Sequence, residues 1–295
     1  MKILICGATG FVGRHLTTTL QSTGHTVVRG IRKPSQPDDI KADYCKDTTK
    51  DAWLPRLAGI DAVINAVGVL RESTRQPMKL LLEQTSIALF SACLEAGVKR
   101  IVQVSVLGVE KGIETPYFQY RRKPEAYLSN FPAHVRYLIL RPSIIYGEDG
   151  ASAKMFRLQA GLPIHTLPAG GNQQLQPVHI DDICEAVVHW LADADAISQT
   201  VSCVGLEATN LRGMLDSYRK QMQHSNALHL SIPASVVKLA AQIGDFIPSS
   251  PLCSDTLAML NAGNIGDTAA FGRLLGRPPK SYRTFILENK SSANP

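Results

Sequence analysis

The run Gly7-Ala8-Thr9-Gly10-Phe11-Val12-Gly13 sets three glycines at intervals of three, directly after the apolar stretch Ile3 to Cys6. Small residues in such a turn let backbone N–H groups approach a pyrophosphate closely, and a helix that starts there adds the positive end of its dipole. The spacing differs from the G-x-G-x-x-G of the standard dinucleotide fingerprint, but the physical demand is the same. A second group stands at the end of the next apolar run, Val28-Arg29-Gly30-Ile31-Arg32-Lys33-Pro34, with no Asp or Glu before Asp38. An acidic residue there would accept from a ribose 2′-hydroxyl; Arg32 instead can fork two donors onto a 2′-phosphate, and Lys33 adds a point charge. These residues point to a phosphorylated dinucleotide, with NADP expected and NAD the alternative.

Metal chemistry finds less support. The six cysteines, at 6, 45, 93, 184, 203 and 253, form no C-x-x-C pair, and several sit in apolar runs where Cys acts as a small hydrophobe. His179 has apolar neighbours and no second ligand at metal spacing, so it reads as a structural or pocket-wall residue and no metal site is expected.

The elements that must hold these groups alternate. Ile3 to Cys6, Thr26 to Ile31, Ala62 to Gly68, Ile101 to Ser105 and Tyr137 to Leu140 read as strands. Helices are expected over Val12 to Ser22, stopping at Gly24, and over Met78 to Glu95, ending before Gly97. Continuous apolar strands separated by helices predict an α/β fold, a doubly wound parallel sheet covered on both faces. Residues 147–176, rich in Gly, Pro, Gln and Ala, read as a loose connection to a mostly helical C-terminal lobe. Helices are expected there over Ile180 to Leu191, Asn210 to Gln221 and Ala234 to Phe246, with Lys290 to Pro295 a polar, frayed tail. The expected division is a nucleotide-binding domain over 1–146, completed by about 176–205, and a substrate or partner lobe over 147–175 and 206–295.

Composition bounds the alternatives. The chain has 295 residues, 44% of them hydrophobic and 19% charged, which excludes collagen-like, coiled-coil and wholly disordered classes. Its net charge of +6 comes from scattered basic residues without a recognition helix or zinc-ligand spacing, so no nucleic-acid partner is expected. No stretch approaches the ~18 apolar residues of a membrane span. The N-terminal apolar run is far shorter than the core of a secretory signal, and a reducing cytoplasm is the expected compartment.

With the glycine turn in place, three further segments complete a resemblance. Asn65-Ala66-Val67-Gly68 resembles the segment that follows the fourth strand and lies beside the cofactor. Arg141-Pro142-Ser143 with Tyr146-Gly147 resembles an RPxxxYG element at an active-site mouth, and Val178-His179-Ile180-Asp181-Asp182 is similar to a VHVDD segment that returns the chain to its nucleotide domain. Together they resemble the short-chain dehydrogenase/reductase superfamily in its extended or atypical branch, near relatives of the NADH dehydrogenase alpha-subcomplex subunit 9 and bacterial epimerase-like proteins. The resemblance implies a Rossmann-type sheet with Gly7, Thr9, Gly10, Phe11, Val12, Gly13, Arg32, Lys33, Ala66, Val67, Gly68 and Pro142 around the cofactor. It also implies that Asp43, before Tyr44, accepts from the adenine amino group.

In that superfamily a Tyr-x-x-x-Lys pair moves the proton, the ammonium lowering the tyrosine pKa. Here the stretch is Tyr117-Phe118-Gln119-Tyr120-Arg121-Arg122-Lys123. Tyr117 with Arg121 keeps the i, i+4 spacing that shares one helix face, with arginine in lysine's place. Tyr120 with Lys123 is the alternative pair. Ser105 takes the place of the substrate-holding hydroxyl, yet Leu107 stands where active members carry another one. The resemblance therefore implies an NADP-dependent oxidoreductase acting on an unknown small carbonyl or sugar-like substrate. A catalytically weak NADP-binding scaffold, sensor or assembly-type protein is the alternative. Peripheral membrane contact stays open because relatives serve membrane-bound systems, and the oligomeric state is open as well.

Overall fold

The computed structural model of the chain describes residues 1–73, 77–247, 250, 252–261 and 263–287; the expected tail at Lys290 to Pro295 lies outside them. Seven strands form the central sheet: β1 (Lys2–Cys6), β2 (Thr26–Ile31), β3 (Ile40–Lys41), β4 (Ala62–Asn65), β5 (Arg100–Val104), β6 (Arg136–Pro142) and β7 (Gln199–Cys203), in the order β7-β6-β5-β4-β1-β2-β3. Strands β1 to β6 pair in parallel. The chain runs outward from β1 through β2 and β3, then crosses back to β4 on β1's other side. That reversal opens a crevice at the carboxyl ends of β1 and β4, where doubly wound sheets bind ligands. The doubly wound α/β sheet expected from the strand pattern, of the Rossmann type that the resemblance implies, is the one observed.

Strand β4 is buried at every position and β1 at all but Lys2. A strand covered on both faces has no polar side to show, hence the unbroken apolar runs. Helix α1 (Phe11–Ser22) follows β1, and Gly24, at φ +85°, ends it. Before α2 (Thr85–Glu95) the helix widens into a π-turn over Leu80–Gln84. The fourth strand is shorter than expected: it ends at Asn65, and Ala66 to Gly68 turn away as a loop that lines the crevice. Helix α3 (Pro116–Ser129) starts with a proline, whose missing N–H costs nothing at that position.

Two compact units divide the chain: Met1–Arg141 with Cys184–Val201, and Pro142–Ile183 with Ser202–Pro295. Described helices contributing to the second unit are α4 (Ala151–Gly161), α5 (Ile180–Ala192, whose later part belongs to the first unit), α6 (Leu211–Gln221), α7 (Ala234–Asp245), α8 (Ser254–Asn261) and α9 (Ala269–Leu275). Its core gathers Tyr146, Leu167, Leu215, Tyr218 and Phe285.

The stretch 147–176 is a correction to the sequence reading. It holds α4 and the strand Ile164–Pro168. Gly150 caps the start of α4 and Gly161 closes it, so the glycines that suggested a loose segment punctuate a helix between them.

Candidate functional site

In the first unit a cavity of about 240 Å³ is lined by Gly7, Thr9, Gly10, Gly30, Ile31, Arg32, Ala42, Asp43, Tyr44, Cys45, Ala66 to Val69 and Leu81. The three glycines of the turn do different work. Gly7 has φ +80°, and a Cβ on it would lie 2.9 Å from the Ala66 carbonyl group. A Cβ on Gly13 would stand 2.1 Å from the Gly7 carbonyl oxygen, so Gly13 lets α1 close onto β1. At Gly10 a Cβ meets nothing nearer than that same oxygen, at 3.2 Å, and Gly10 itself lines the cavity. Helix α1 starts there without a side-chain cap and without an acidic residue in its first turn. Its first N–H groups and dipole are thus left to a ligand anion. Phe11 and Val12 open the helix, Phe11 edge-on to His15 at 5.2 Å; with Gly13 and Lys33 they fall outside the lining residues.

In the loop after β2 the Asp39 carboxylate is already engaged. Asp39 receives Arg29 Nε at 2.7 Å and the backbone N–H groups of Ser35 and Gln36. The Arg29 guanidinium holds the Asp39 carboxyl well below the usual carboxylate range. Arg32 and Lys33 are exposed and make no hydrogen bond or ion pair among the described residues. Asp43 lines the cavity while its carboxylate accepts from the Cys45 N–H at 3.1 Å.

Tyr44, expected with Asp43 among the cofactor-binding residues, also lines the cavity. Its hydroxyl points into the core and donates to Asn65 Oδ1 at 2.9 Å, and burial pushes the phenol pKa up. Asn65, fully buried, donates in turn to Ser86 Oγ and Gln103 Oε1 and accepts from the Val67 N–H. This network, not a cofactor contact, explains the polar residue that ends β4, and it fixes the loop Ala66 to Gly68 from below.

Tyr117 and Arg121 lie one turn apart on α3, both buried, with the guanidinium 5.6 Å from the phenol ring centre. Arg121 Nη1 donates to the Val104 carbonyl at 2.8 Å, whereas its buried Nε has no partner. A Cβ on Gly68 would be 2.7 Å from Arg121 Nη2, so Gly68 makes room for this side chain. A buried cation without a carboxylate is costly; its cost falls if an anionic or carbonyl group of a ligand reaches it. The other pair is separated by its contacts: Lys123 forms an ion pair with Glu83, on the π-turn, at 2.9 Å.

Ser105 already has a partner within the protein. Its hydroxyl donates to Glu125, a buried carboxylate on α3. Arg141 completes the group, Nη2 donating to Glu125 Oε2 at 2.6 Å and Nη1 pairing with Glu110 at 3.3 Å. The arginine of the RPxxxYG element thus serves in the first unit to neutralise a buried acid. Pro142 falls in the second unit, as do Tyr146, stacked 4.9 Å from Phe285, and His179, whose Nδ1 accepts from the Asp181 N–H at 3.2 Å. Gly30, Ile31, Ala42, Cys45, Val69 and Leu81 line the cavity unforeseen; only Gly30, a glycine near the end of a buried strand, left a signal in the sequence.

Over residues 7–167 the sequence matches the protein family described as NAD(P)H-binding. The chain belongs to that family. It is 24% identical to the photosystem II assembly factor Ycf39 of a Synechocystis species, over 96% of this chain and 88% of that protein. It is 23% identical to mouse mitochondrial NADH dehydrogenase [ubiquinone] 1 alpha subcomplex subunit 9, over 84% and 68%. The subgroup named from the motifs is therefore represented among its relatives. The Escherichia coli NADPH-dependent quinone oxidoreductase QOR2, complexed with NADPH, has the same fold: TM-score 0.73 and 18% identity, over 98% of this chain and 99% of that one. NAD(P)H binding thus belongs to the family, and the cradle of Gly7, Thr9 and Gly10 beside unpaired Arg32 fits such a ligand. No described helix is long and apolar enough to cross a membrane.

Proposed function

We propose that the chain binds NADP(H) in preference to NAD(H) and that it works chiefly as a nucleotide-holding protein of oxidoreductase type, with slow hydride transfer at most. The observation that carries the cofactor preference is at the end of β2. Arg32 stands unpaired at the cavity edge while Asp39, the acid nearest to that edge in sequence after Asp38, is neutralised by Arg29. Gly7, Thr9 and Gly10 take the pyrophosphate, Arg32 with Lys33 the 2′-phosphate, and Asp43 with Cys45 the adenine end. Ala66 to Gly68 and Arg121 border the nicotinamide half.

Bound NADPH supplies a hydride donor. What the protein adds at that point is reduced. Ser105 donates its hydrogen bond to Glu125, Leu107 has no hydroxyl, and Arg121 replaces a compact ammonium by a planar fork with different donor directions. Preorganised donors of this kind are worth about 10²–10³ in rate each. This favours the scaffold or assembly-type reading, and a relative whose name is an assembly factor supports it.

Turnover on a small carbonyl or sugar-like substrate is the second reading, favoured by Tyr117. Its ring lies beside the Arg121 cation, and its hydroxyl has no hydrogen bond among the described residues. NADPH consumption at 340 nm against a panel of ketones, aldehydes and quinones separates the two. Firm binding with turnover near background supports the nucleotide-holding role. Rapid turnover abolished by Tyr117→Phe supports the enzyme, and Arg121→Lys should then raise the rate. Rapid turnover that survives Tyr117→Phe refutes both the attenuation and the proton donor.

A further inference from the structure

The second unit carries a side-chain cluster unrelated to the nucleotide cavity. The strand Ile164–Pro168 pairs in parallel with Leu228–Ile232, and the register sets His165 opposite His229. Their ring centres are 5.7 Å apart. Helix α6 adds Asp216, whose Oδ1 lies 2.8 Å from His229 Nε2 and 3.4 Å from His165 Nδ1.

His165 is fully buried, which makes the state of its ring decisive. Its Nε2 sits 3.3 Å from the Ala160 carbonyl oxygen, an acceptor only, so that nitrogen carries the hydrogen. In the neutral ring Nδ1 is then a bare lone pair. It faces the Asp216 carboxylate and makes no hydrogen bond. Two lone pairs held toward each other in a buried place repel, and a positive charge between them removes the conflict. A ring N–H fixed on a backbone carbonyl is also how metal-binding histidines are held, the other nitrogen being aimed at the ion.

We propose that a divalent transition-metal ion, zinc by its donor set, binds His165 Nδ1, His229 Nε2 and Asp216 Oδ1. All three atoms lie within 4.8 Å of one another. Tetrahedral zinc with bonds of about 2.0–2.1 Å keeps its ligand atoms roughly 3.3 Å apart, close to the 2.8 and 3.4 Å that Asp216 Oδ1 already keeps from the two rings. Two imidazoles and one carboxylate suit zinc, whereas magnesium and calcium favour oxygen ligands. The Asp216 and His229 side chains are 41% and 27% exposed, so water can take the fourth position. The ion would fasten the strand Leu228–Ile232, exposed at four of its five positions, to α6. The expectation of no metal rested on spacing along the chain around His179; His165 and His229 meet only through strand register.

The test starts from full-length protein stripped with a chelator and titrated with zinc chloride by calorimetry. The expected result is one ion per chain, with binding weakened at least tenfold in both His229→Ala and Asp216→Asn, and with Co²⁺ giving the visible absorption of a tetrahedral site. Both substitutions fall at partly exposed side chains, and circular dichroism checks that the variants fold. In the parent, zinc should slow diethyl pyrocarbonate modification of His229, read by mass spectrometry. Failure of the parent to bind, parent-like binding in both variants, or no protection of His229 would each overturn the site. NADPH affinity, measured alongside, should not change with zinc.

Discussion

Within the first unit, the lining of the cavity and the neighbouring region of β5 and α3 differ in what their polar groups are already doing. Around the glycine turn and the end of β2, donors are left over: the first N–H groups of α1 have no side-chain cap, and Arg32 and Lys33 have no partner among the described residues. Beside β5 and α3 most polar groups are consumed, Ser105 and Arg141 by Glu125 and Lys123 by Glu83, with Arg121 Nε and the Tyr117 hydroxyl the exceptions among the described residues. Unpaired donors facing a cavity are stabilised by an anionic ligand, whereas a hydroxyl bound to a buried carboxylate must break that bond before it can serve a substrate. One side is arranged to bind and the other to hold itself together. Each experiment below acts on one side and should leave the other unchanged.

The largest effect is expected at Gly10. Gly10→Val places a branched side chain where the pyrophosphate must approach, and NADPH affinity should fall roughly a hundredfold or more, about 2.7 kcal/mol. Gly10 is a cleaner choice than Gly13, because a Cβ on Gly13 would overlap the Gly7 carbonyl and damage the fold itself. Thermal shift with and without NADPH reads both quantities. A folded Gly10→Val protein that binds NADPH normally would place the nucleotide outside this cavity.

Next comes the cofactor preference. Arg32→Glu removes a charge-assisted contact worth about 1.5–3 kcal/mol and adds a repelling charge, so the preference for NADPH over NADH should narrow by roughly tenfold or more. Calorimetry on the parent sets the reference. Equal parental affinities for the two nucleotides would break the assignment of Arg32.

On the opposite side, Ser105→Ala removes the donor to Glu125 and leaves that carboxylate to Arg141 alone. A loss of about 1–3 kcal/mol in stability is expected, measured by urea unfolding, with NADPH affinity unchanged. A variant as stable as the parent but slower on a working substrate would instead make Ser105 part of the chemistry, and the contrast between the two sides would fail.

The same contrast explains what was legible in the sequence. The glycine turn and the end of β2 are local: seven consecutive residues make the cradle, and one strand end presents Arg32. Strand and helix periods likewise gave the sheet, since burial on both faces writes itself as continuous apolar runs. The consumed side is nonlocal. Glu125 meets Ser105 from 20 residues away and Arg141 from 16, so no short pattern announced that the serine was taken. The Tyr44 hydroxyl bond was hidden for a related reason, because its partner Asn65 lies 21 residues on and across the sheet.

The smallest effect is a protection. Among the six cysteines only Cys45 is not buried, and it lines the cavity beside Asp43 and Tyr44. Cys6, fully buried, has its thiol pushed up to about 12 by desolvation and should stay inert. Partial burial and the Asp43 charge also raise the Cys45 thiol, so its alkylation by iodoacetamide near pH 8 should be slow but measurable. With NADPH at about three times its Kd, roughly a quarter of the cavities are free, and the Cys45 rate should drop about fourfold. Peptide mapping assigns the modified residue. If NADH at the same concentration protected equally well, Arg32 would contribute nothing to selection; if neither nucleotide protected, the adenine end would lie away from Asp43 and Cys45, and the free donors around the glycine turn would need another anion to explain them.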